Sequence, residues 1–83
     1  MKSLSVVIPI YNEERTATAL LDRVVNAPLP AAIEALEVVA VDDGSADGTW
    51  ARIEAWQPAP RADGRPVARR LLRTSSTAAR APH

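Results

Sequence analysis

Two short segments, far apart in the chain, carry the residues best suited to bind a nucleotide. The first runs from Pro9 to Glu13 and includes Tyr11, and the second is Val41-Asp42-Asp43. A tyrosine ring can stack on a base, and carboxylates accept hydrogen bonds from base N–H groups and ribose hydroxyls. Helix N-termini close to such residues would favour phosphate groups. If the two segments meet, they would form a nucleotide site.

The segments meet only if both follow parallel strands. Residues 4–10 and 37–41 are nearly continuous apolar runs rich in β-branched side chains, typical of strands covered on both faces. Between the runs, a helical stripe consists of Ala17, Leu20, Leu21, Val24 and Val25. This i, i+3, i+4 spacing predicts a helix. We expect Asn12 to cap that helix, and the helix to end near Asn26 because Pro28 follows Ala27.

A second helix is predicted over residues 48–56, capped by Asp47 and stopped by Pro58. Its two tryptophans, Trp50 and Trp56, are expected to pack inward rather than to hold a sugar. Beyond residue 57 the sequence predicts a loop and a candidate third strand in segment 58–72. Segment 73–83 is predicted to be a disordered tail, and the arginines between residues 61 and 80 are expected to solvate loose chain.

The alternation of strands and helices predicts an α/β fold made of βαβ units. It would be an incomplete Rossmann-like sheet of two or three parallel strands with two helices. In such sheets the carboxyl ends of the strands share one edge, where ligands usually bind. The sequence therefore predicts a nucleotide-binding crevice between the two segments, within residues 1–57.

The amino-acid composition argues against several other classes of protein. The chain has 83 residues, of which 47% are hydrophobic and 24% charged, and its formal net charge is zero. This balance argues against a disordered polyelectrolyte and against a basic nucleic-acid-binding protein. The absence of cysteine suits a cytoplasmic location. No apolar run approaches the roughly 20 residues of a transmembrane helix, and the short apolar start lacks a signal-peptide cleavage site.

The two segments also carry a family resemblance. Residues 5–14, SVVIPIYNEE, followed by residues 38–49, VVAVDDGSADGT, resemble the opening of family 2 glycosyltransferases with the A-type fold. They are most similar to the branch of dolichyl- and polyprenyl-phosphate mannosyl- and glucosyltransferases. The resemblance covers roughly residues 3–56. It implies a nucleotide-sugar donor and a dolichyl or polyprenyl phosphate acceptor, with the parent enzyme cytoplasmic or peripheral to a membrane.

By that resemblance, five residues line the nucleotide-sugar pocket: Pro9, Tyr11, Glu13, Val41 and Asp43. Asp42 would be a more buried neighbour that supports the loop. In the family, a later Asp-x-Asp holds a divalent cation, Mg²⁺ or Mn²⁺, on the diphosphate. This sequence contains no Asp-x-Asp after Asp43. We therefore assign no catalytic and no metal-binding residue, and expect an N-terminal fragment that does not transfer sugar alone.

The tail has a separate interpretation. Codons permitted for residues 73–83, read from the third base of the Arg73 codon, can encode HVVNRGKGAA. Related enzymes have a segment of the form N-x-G-K-G-x-A at this place. The sequence is thus consistent with a change of reading frame near Arg73, which the DNA downstream of codon 73 would reveal.

Two alternatives compete with this hypothesis. Asp43, Ser45, Asp47 and Glu54 have the spacing of a calcium-binding loop, which would make the chain a small calcium-binding module. However, the preceding residues are typical of a strand rather than of the required helix. A receiver-like signalling domain would need a lysine on a later strand, and the only lysine is Lys2. Glu14, finally, is expected to be a solvated charge without a binding role.

Overall fold

The computed structural model describes residues 2–74. Strands and helices alternate along them in the order β1 (Ser3–Ile10), α1 (Ala17–Asn26), β2 (Ala35–Asp43), α2 (Thr49–Ala55) and β3 (Val67–Thr74). The three strands form one sheet in which β2 pairs in parallel with β1 on one side and with β3 on the other. The predicted α/β fold is confirmed, with three parallel strands and two helices.

Both helices pack on the same side of the sheet. The chain passes from β1 to β2 and from β2 to β3, moving across the sheet in the same direction both times. Because both connections are right-handed, they place α1 and α2 on the same face. This helix face buries one alternate set of strand residues together with apolar residues of α1 and α2. The resulting core cluster contains Ile8, Ile10, Ala17, Leu21, Val25, Leu36, Val38, Ala40, Ile53 and Trp56.

The opposite side, here called the open face, carries the other alternate set of strand residues. Near the carboxyl ends of the strands it comprises Val7 and Pro9 of β1, Val39, Val41 and Asp43 of β2, and Arg70, Leu72 and Thr74 of β3. Val7 is 63% exposed and Leu72 42%. The expectation that the strands are covered on both faces is therefore wrong within residues 2–74. A continuous apolar run shows that a strand could be buried on both faces, but it does not show which segment would cover each face.

The start of α1 also differs from the prediction. The helix begins at Ala17 rather than directly after Asn12, and its N-cap position, Thr16, makes no side-chain cap hydrogen bond. Asn12 has φ 49°, a left-handed conformation that asparagine tolerates better than most residues. Because its side chain binds the second loop, it cannot cap α1. Asp47 is not the N-cap of α2 either, since that position is Gly48, which makes no side-chain cap hydrogen bond. Asp47 lies one residue earlier, and its carboxylate accepts the N–H of Thr49, the first residue of α2, at 3.0 Å.

Arginines expected to solvate loose chain instead bind backbone carbonyl groups. Arg61 is only 8% exposed, and its Nη1 donates to Val25 O at 2.7 Å and to Ala27 O at 2.9 Å. These carbonyls lie at the end of α1, where helices leave acceptors unpaired. Arg69 does the same for α2, donating to the carbonyl oxygens of Ile53, Glu54 and Trp56.

Asp63 orients two of these arginines. It accepts hydrogen bonds from the guanidinium groups of Arg61 and Arg65, and these groups hold the pKa of the Asp63 carboxyl well below its usual range. Arg65 in turn donates to the carbonyl oxygens of Leu29, Pro30 and Ile33 in the α1–β2 loop. Residues 58–66 therefore form a loop whose arginines hold the end of α1 and the α1–β2 loop, and β3 begins at Val67.

The third strand is longer than expected. It continues through Arg73 to Thr74, which pair with Asp42 and Asp43 of β2, so these two residues are part of the sheet and not of a tail. The remainder of the predicted tail, residues 75–83, lies outside the described residues. Among residues 2–74, the structure contains no helix with the length and apolarity required to cross a membrane.

Candidate functional site

The two chemistry-bearing segments lie side by side at one edge of the sheet. Ile10 at the end of β1 pairs with Asp42 of β2, and Pro9 pairs with Val41. Their side chains alternate, so that Ile10 and Asp42 are buried against the helices while Pro9 and Val41 face the open side. The shared edge predicted from the sequence is therefore present.

Tyr11 and Glu13 follow β1 at this edge. Tyr11 is 43% exposed. The Glu13 N–H donates to the Thr49 hydroxyl at 2.9 Å, which ties the segment to the first residue of α2. The Glu13 carboxylate accepts a hydrogen bond from the Thr16 hydroxyl at 3.3 Å. Both residues are thus held beside the end of β2.

The adjacent aspartates differ in their surroundings. Asp42 points to the helix face and is completely buried, and its Oδ1 accepts the Ser45 N–H at 2.9 Å, which holds the β2–α2 loop. Within residues 2–74, its Oδ2 has no hydrogen-bond partner. Asp43 is half-buried on the open face, and its Oδ1 accepts a hydrogen bond from the Thr74 hydroxyl at 3.0 Å. Only Asp43 could therefore meet a ligand lying on the open face.

A reciprocal set of hydrogen bonds, here called the loop clasp, joins the loop after β1 to the loop after β2. The Asn12 N–H donates to Ser45 Oγ at 2.8 Å, and the Ala46 N–H donates to Asn12 Oδ1 at 2.9 Å. Asn12 meets both partners because its left-handed backbone turns the amide group and the side chain toward the same loop. Sequence reasoning missed this role, because Asn12 also fits the composition of a helix cap.

Glu14 and Gly48 form a second part of the loop clasp. The Gly48 N–H donates to Glu14 Oε1 at 2.9 Å, so the expectation that Glu14 is only a solvated charge is wrong. A Cβ added at Gly48 would lie 2.7 Å from Glu14 Cδ. Any larger residue at this position would force the Glu14 side chain to move, and the present contact places a carboxylate at the positive end of α2. The sequence offers no signal for it, since the two residues are brought together only by the fold.

The polar cavity at this edge overlaps only partly with the predicted site. It has a volume of about 350 Å³ and is lined by Asn12, Glu13, Glu14, Arg15, Thr16 and Asp47. Glu13 is the one predicted pocket residue among them. The open-face residues Pro9, Val41 and Asp43 do not line this cavity. They lie at neighbouring strand ends at the same edge, next to each other in the sheet register.

The acidic residues of this edge do not assemble a metal site. In the described part of the chain, no three His, Cys, Asp or Glu side chains are grouped so that they could hold a metal ion. Asp47 instead accepts hydrogen bonds from the Thr49 hydroxyl and N–H, and the hydroxyl lowers the Asp47 pKa. Ser45 Oγ accepts from Asn12. Within residues 2–74, Asp47 and Ser45 are thus engaged in hydrogen bonds that hold the loops together.

Comparison with known proteins gives a consistent result. The sequence model of the family described as glycosyl transferase family 2 matches residues 5–76. Curated relatives include the undecaprenyl-phosphate 4-deoxy-4-formamido-L-arabinose transferases of Yersinia pestis (strain Pestoides F) and Yersinia pseudotuberculosis serotype O:3 (strain YPIII). Each is 43% identical over 49 residues, which is 59% of this chain and 15% of the relative. No solved structure gives a significant match.

Proposed function

The chain belongs to glycosyl transferase family 2, and from this membership we propose that it supplies the nucleotide-binding part of a sugar transferase. The donor is a nucleotide-sugar and the acceptor a polyprenyl or dolichyl phosphate. The chain spans about 15% of the length of the curated relatives it matches. Those relatives are named as transferases for undecaprenyl phosphate and an arabinose derivative. Their lipid-phosphate chemistry supports an acceptor of the same class.

One observation carries the proposal. The parallel register that pairs Pro9 with Val41 brings Tyr11 and Glu13 to the same sheet edge as Asp43. A planar apolar surface, an aromatic ring and carboxylate acceptors then lie together. This combination matches the parts of a nucleoside, which has an apolar base face, a polar base edge and ribose hydroxyls.

Each side chain has a distinct task in this proposal. Pro9 and Val41 present an apolar surface to the base, and the exposed Tyr11 ring stacks against it. Asp43 accepts a hydrogen bond from a base N–H, while Glu13 accepts hydrogen bonds from ribose hydroxyls. Asp42 does not touch the ligand and supports the loop that follows Asp43. The loop clasp keeps both loops in place before the ligand arrives, which lowers the ordering cost of binding.

The chain alone is proposed to bind without transferring sugar. In transferases of this kind a divalent cation offsets the charge of the leaving diphosphate, and the described residues do not fit such a cation. No catalytic residue is therefore assigned. The location is proposed to be cytoplasmic, with the parent enzyme at the membrane surface, because the acceptor is a lipid phosphate.

Titration calorimetry of the 83-residue chain with UDP, GDP and ADP tests the proposal. We expect saturable binding of at least one nucleotide, and a loss of affinity of about 5- to 10-fold for Asp43→Asn and for Tyr11→Ala. Ala68→Ser, a change at an exposed β3 position on the same face and farther from the edge, is the control and should bind like the wild type. A folded chain that binds none of the three nucleotides would refute the proposal.

A further inference from the structure

Strand β3 ends beside Asp43, and its last residues lie next to the proposed nucleotide surface. We propose that β3 extends this surface. Leu72 continues the apolar area under the base, and Thr74 positions the Asp43 carboxylate. The inference rests on the proposed nucleotide binding and adds two residues to it, both outside the set predicted from the sequence.

The argument for Leu72 comes from the sheet register. Pro9 pairs with Val41, and Val41 pairs with Leu72, so the three side chains form one row across the open face. Neighbouring strands are about 4.8 Å apart, and three strands therefore give a row about 10 Å long. The row is therefore long enough to lie under the whole of a purine or pyrimidine ring system. Leu72 is 42% exposed, so a large part of its side chain can be covered by a ligand.

The rows on either side explain how a base would be oriented. Toward the strand ends, Asp43 pairs with Thr74, which gives a polar row of carboxylate and hydroxyl. On the other side, Val39 pairs with the exposed Arg70. The apolar row is therefore bounded by hydrogen-bonding groups at the edge where the base N–H groups would be recognised. A flat apolar strip with a polar row at the strand ends and an arginine on its other side is suited to a heterocyclic base rather than to an unbranched lipid chain.

The argument for Thr74 comes from its hydroxyl. It lies 3.0 Å from Asp43 Oδ1 and 3.3 Å from the Asp42 carbonyl oxygen. A hydroxyl has one proton to donate, and the charged carboxylate is the stronger acceptor. This hydrogen bond restrains the Asp43 side chain in one orientation. Pre-orientation removes part of the entropy loss on ligand binding, so Thr74 affects affinity without touching the ligand.

The experiment compares Thr74→Val, which keeps the shape but removes the hydroxyl, with Thr74→Ser, which keeps the hydroxyl. Nucleoside diphosphate affinity is measured by calorimetry for each variant, alone and combined with Asp43→Asn. We expect Thr74→Val to weaken binding about 5-fold and Thr74→Ser to stay within about 2-fold of the wild type. In the Asp43→Asn background, Thr74→Val should change affinity by less than about 2-fold, because the interaction is already altered.

Leu72 has its own pair of variants. Leu72→Ala removes the surface and should weaken binding about 3- to 10-fold, whereas Leu72→Met preserves apolar area and should stay within about 2-fold. Far-ultraviolet circular dichroism shows that each variant is folded. If Thr74→Val lowers affinity equally in both backgrounds, Thr74 does not act through Asp43 and the positioning role is refuted.

The outcomes separate the two levels of the proposal. A wild-type chain that is folded and binds no nucleoside diphosphate refutes the proposed function, and this inference with it. A wild-type chain that binds a nucleotide and is weakened by Asp43→Asn, but is unaffected by Thr74→Val and Leu72→Ala, supports the function and refutes the extension onto β3. Loss of binding in both valine and alanine variants, with retention in serine and methionine variants, supports the extension.

Discussion

Replacement of Gly48 by alanine tests whether the loop clasp contributes to the stability of the fold. The Gly48 N–H donates to Glu14 Oε1 at 2.9 Å, and a Cβ at this position would lie 2.7 Å from Glu14 Cδ. The backbone itself accepts alanine, because Gly48 has φ −80°. The conflict is therefore with the Glu14 side chain alone, which must swing away and give up its hydrogen bond.

The expected effect follows from two opposing contributions. Loss of a hydrogen bond to a charged acceptor costs about 1.5–3 kcal/mol. Alanine also restricts the unfolded chain more than glycine does, which offsets about 0.4–1 kcal/mol. We expect Gly48→Ala to lower the free energy of unfolding by about 1–2 kcal/mol. For a domain of this size, each kcal/mol lowers the melting temperature by roughly 4–8 °C.

The decisive comparison uses a Glu14→Ala background, in which the carboxylate is already absent. There, Gly48→Ala should be neutral or stabilise the fold by about 0.5 kcal/mol. Urea unfolding followed by the fluorescence of the buried Trp56 measures all four proteins. Gly64→Ala is the matched control, since Gly64 has φ +79° and nothing within 4 Å of an added Cβ. Its cost should be the same in both backgrounds.

An equal loss of stability for Gly48→Ala with and without Glu14 would refute the reasoning. It would mean that the cost arises from the helix start itself and not from the contact between the two loops. A stabilised Gly48→Ala protein in the wild-type background would refute it as well.

Three further predictions concern side chains that bind backbone groups. Thr49→Val should destabilise the fold by about 1–3 kcal/mol, since it leaves the Glu13 N–H without its acceptor, and Thr49→Ser should restore most of the loss in the same urea assay. Arg61→Lys should lower the urea midpoint clearly, because one ammonium group cannot replace a planar donor that binds two carbonyl groups and a carboxylate. Asp63→Asn should be less stable than the wild type at neutral pH. Arg61 and Arg65 depress the Asp63 pKa in the folded state. The extra stability of the wild type is therefore fully present above the pKa of an aspartate in the unfolded chain, about 3.9, and is lost progressively as the pH falls below that value. Urea midpoints of both proteins measured between about pH 7 and pH 2 should therefore converge toward the acid end, and a constant difference would contradict the assignment.

The fold class was predictable because its signals are local. β-Branched apolar runs, an amphipathic stripe in residues 17–25 and the Asp42-Asp43-Gly44 turn specify strand, helix and strand within short windows. The rule that parallel strands end at one sheet edge then places Tyr11 beside Asp43 without coordinates. The starts of the helices were harder to predict. Asn12 and Asp47 are both residue types that favour N-cap positions, yet the N-cap positions are Thr16 and Gly48.

Contacts between residues far apart in the sequence were decided by the tertiary structure. Asn12 with Ser45, and Glu14 with Gly48, are separated by more than thirty residues, and nothing in either loop alone specifies its partner. The same applies to Arg61 and Arg69, whose scattered positions are typical of solvated chain until helix ends supply carbonyl groups nearby.

What the sequence determined by itself was the kind of elements, their order and the edge at which ligand-binding chemistry collects, because propensity and periodicity act over a few neighbouring residues. Only the tertiary structure decided which polar groups pair, which sheet face is covered and which residues of β3 join Asp43. Those outcomes depend on distances between segments remote in sequence, and such distances exist only once the chain has folded.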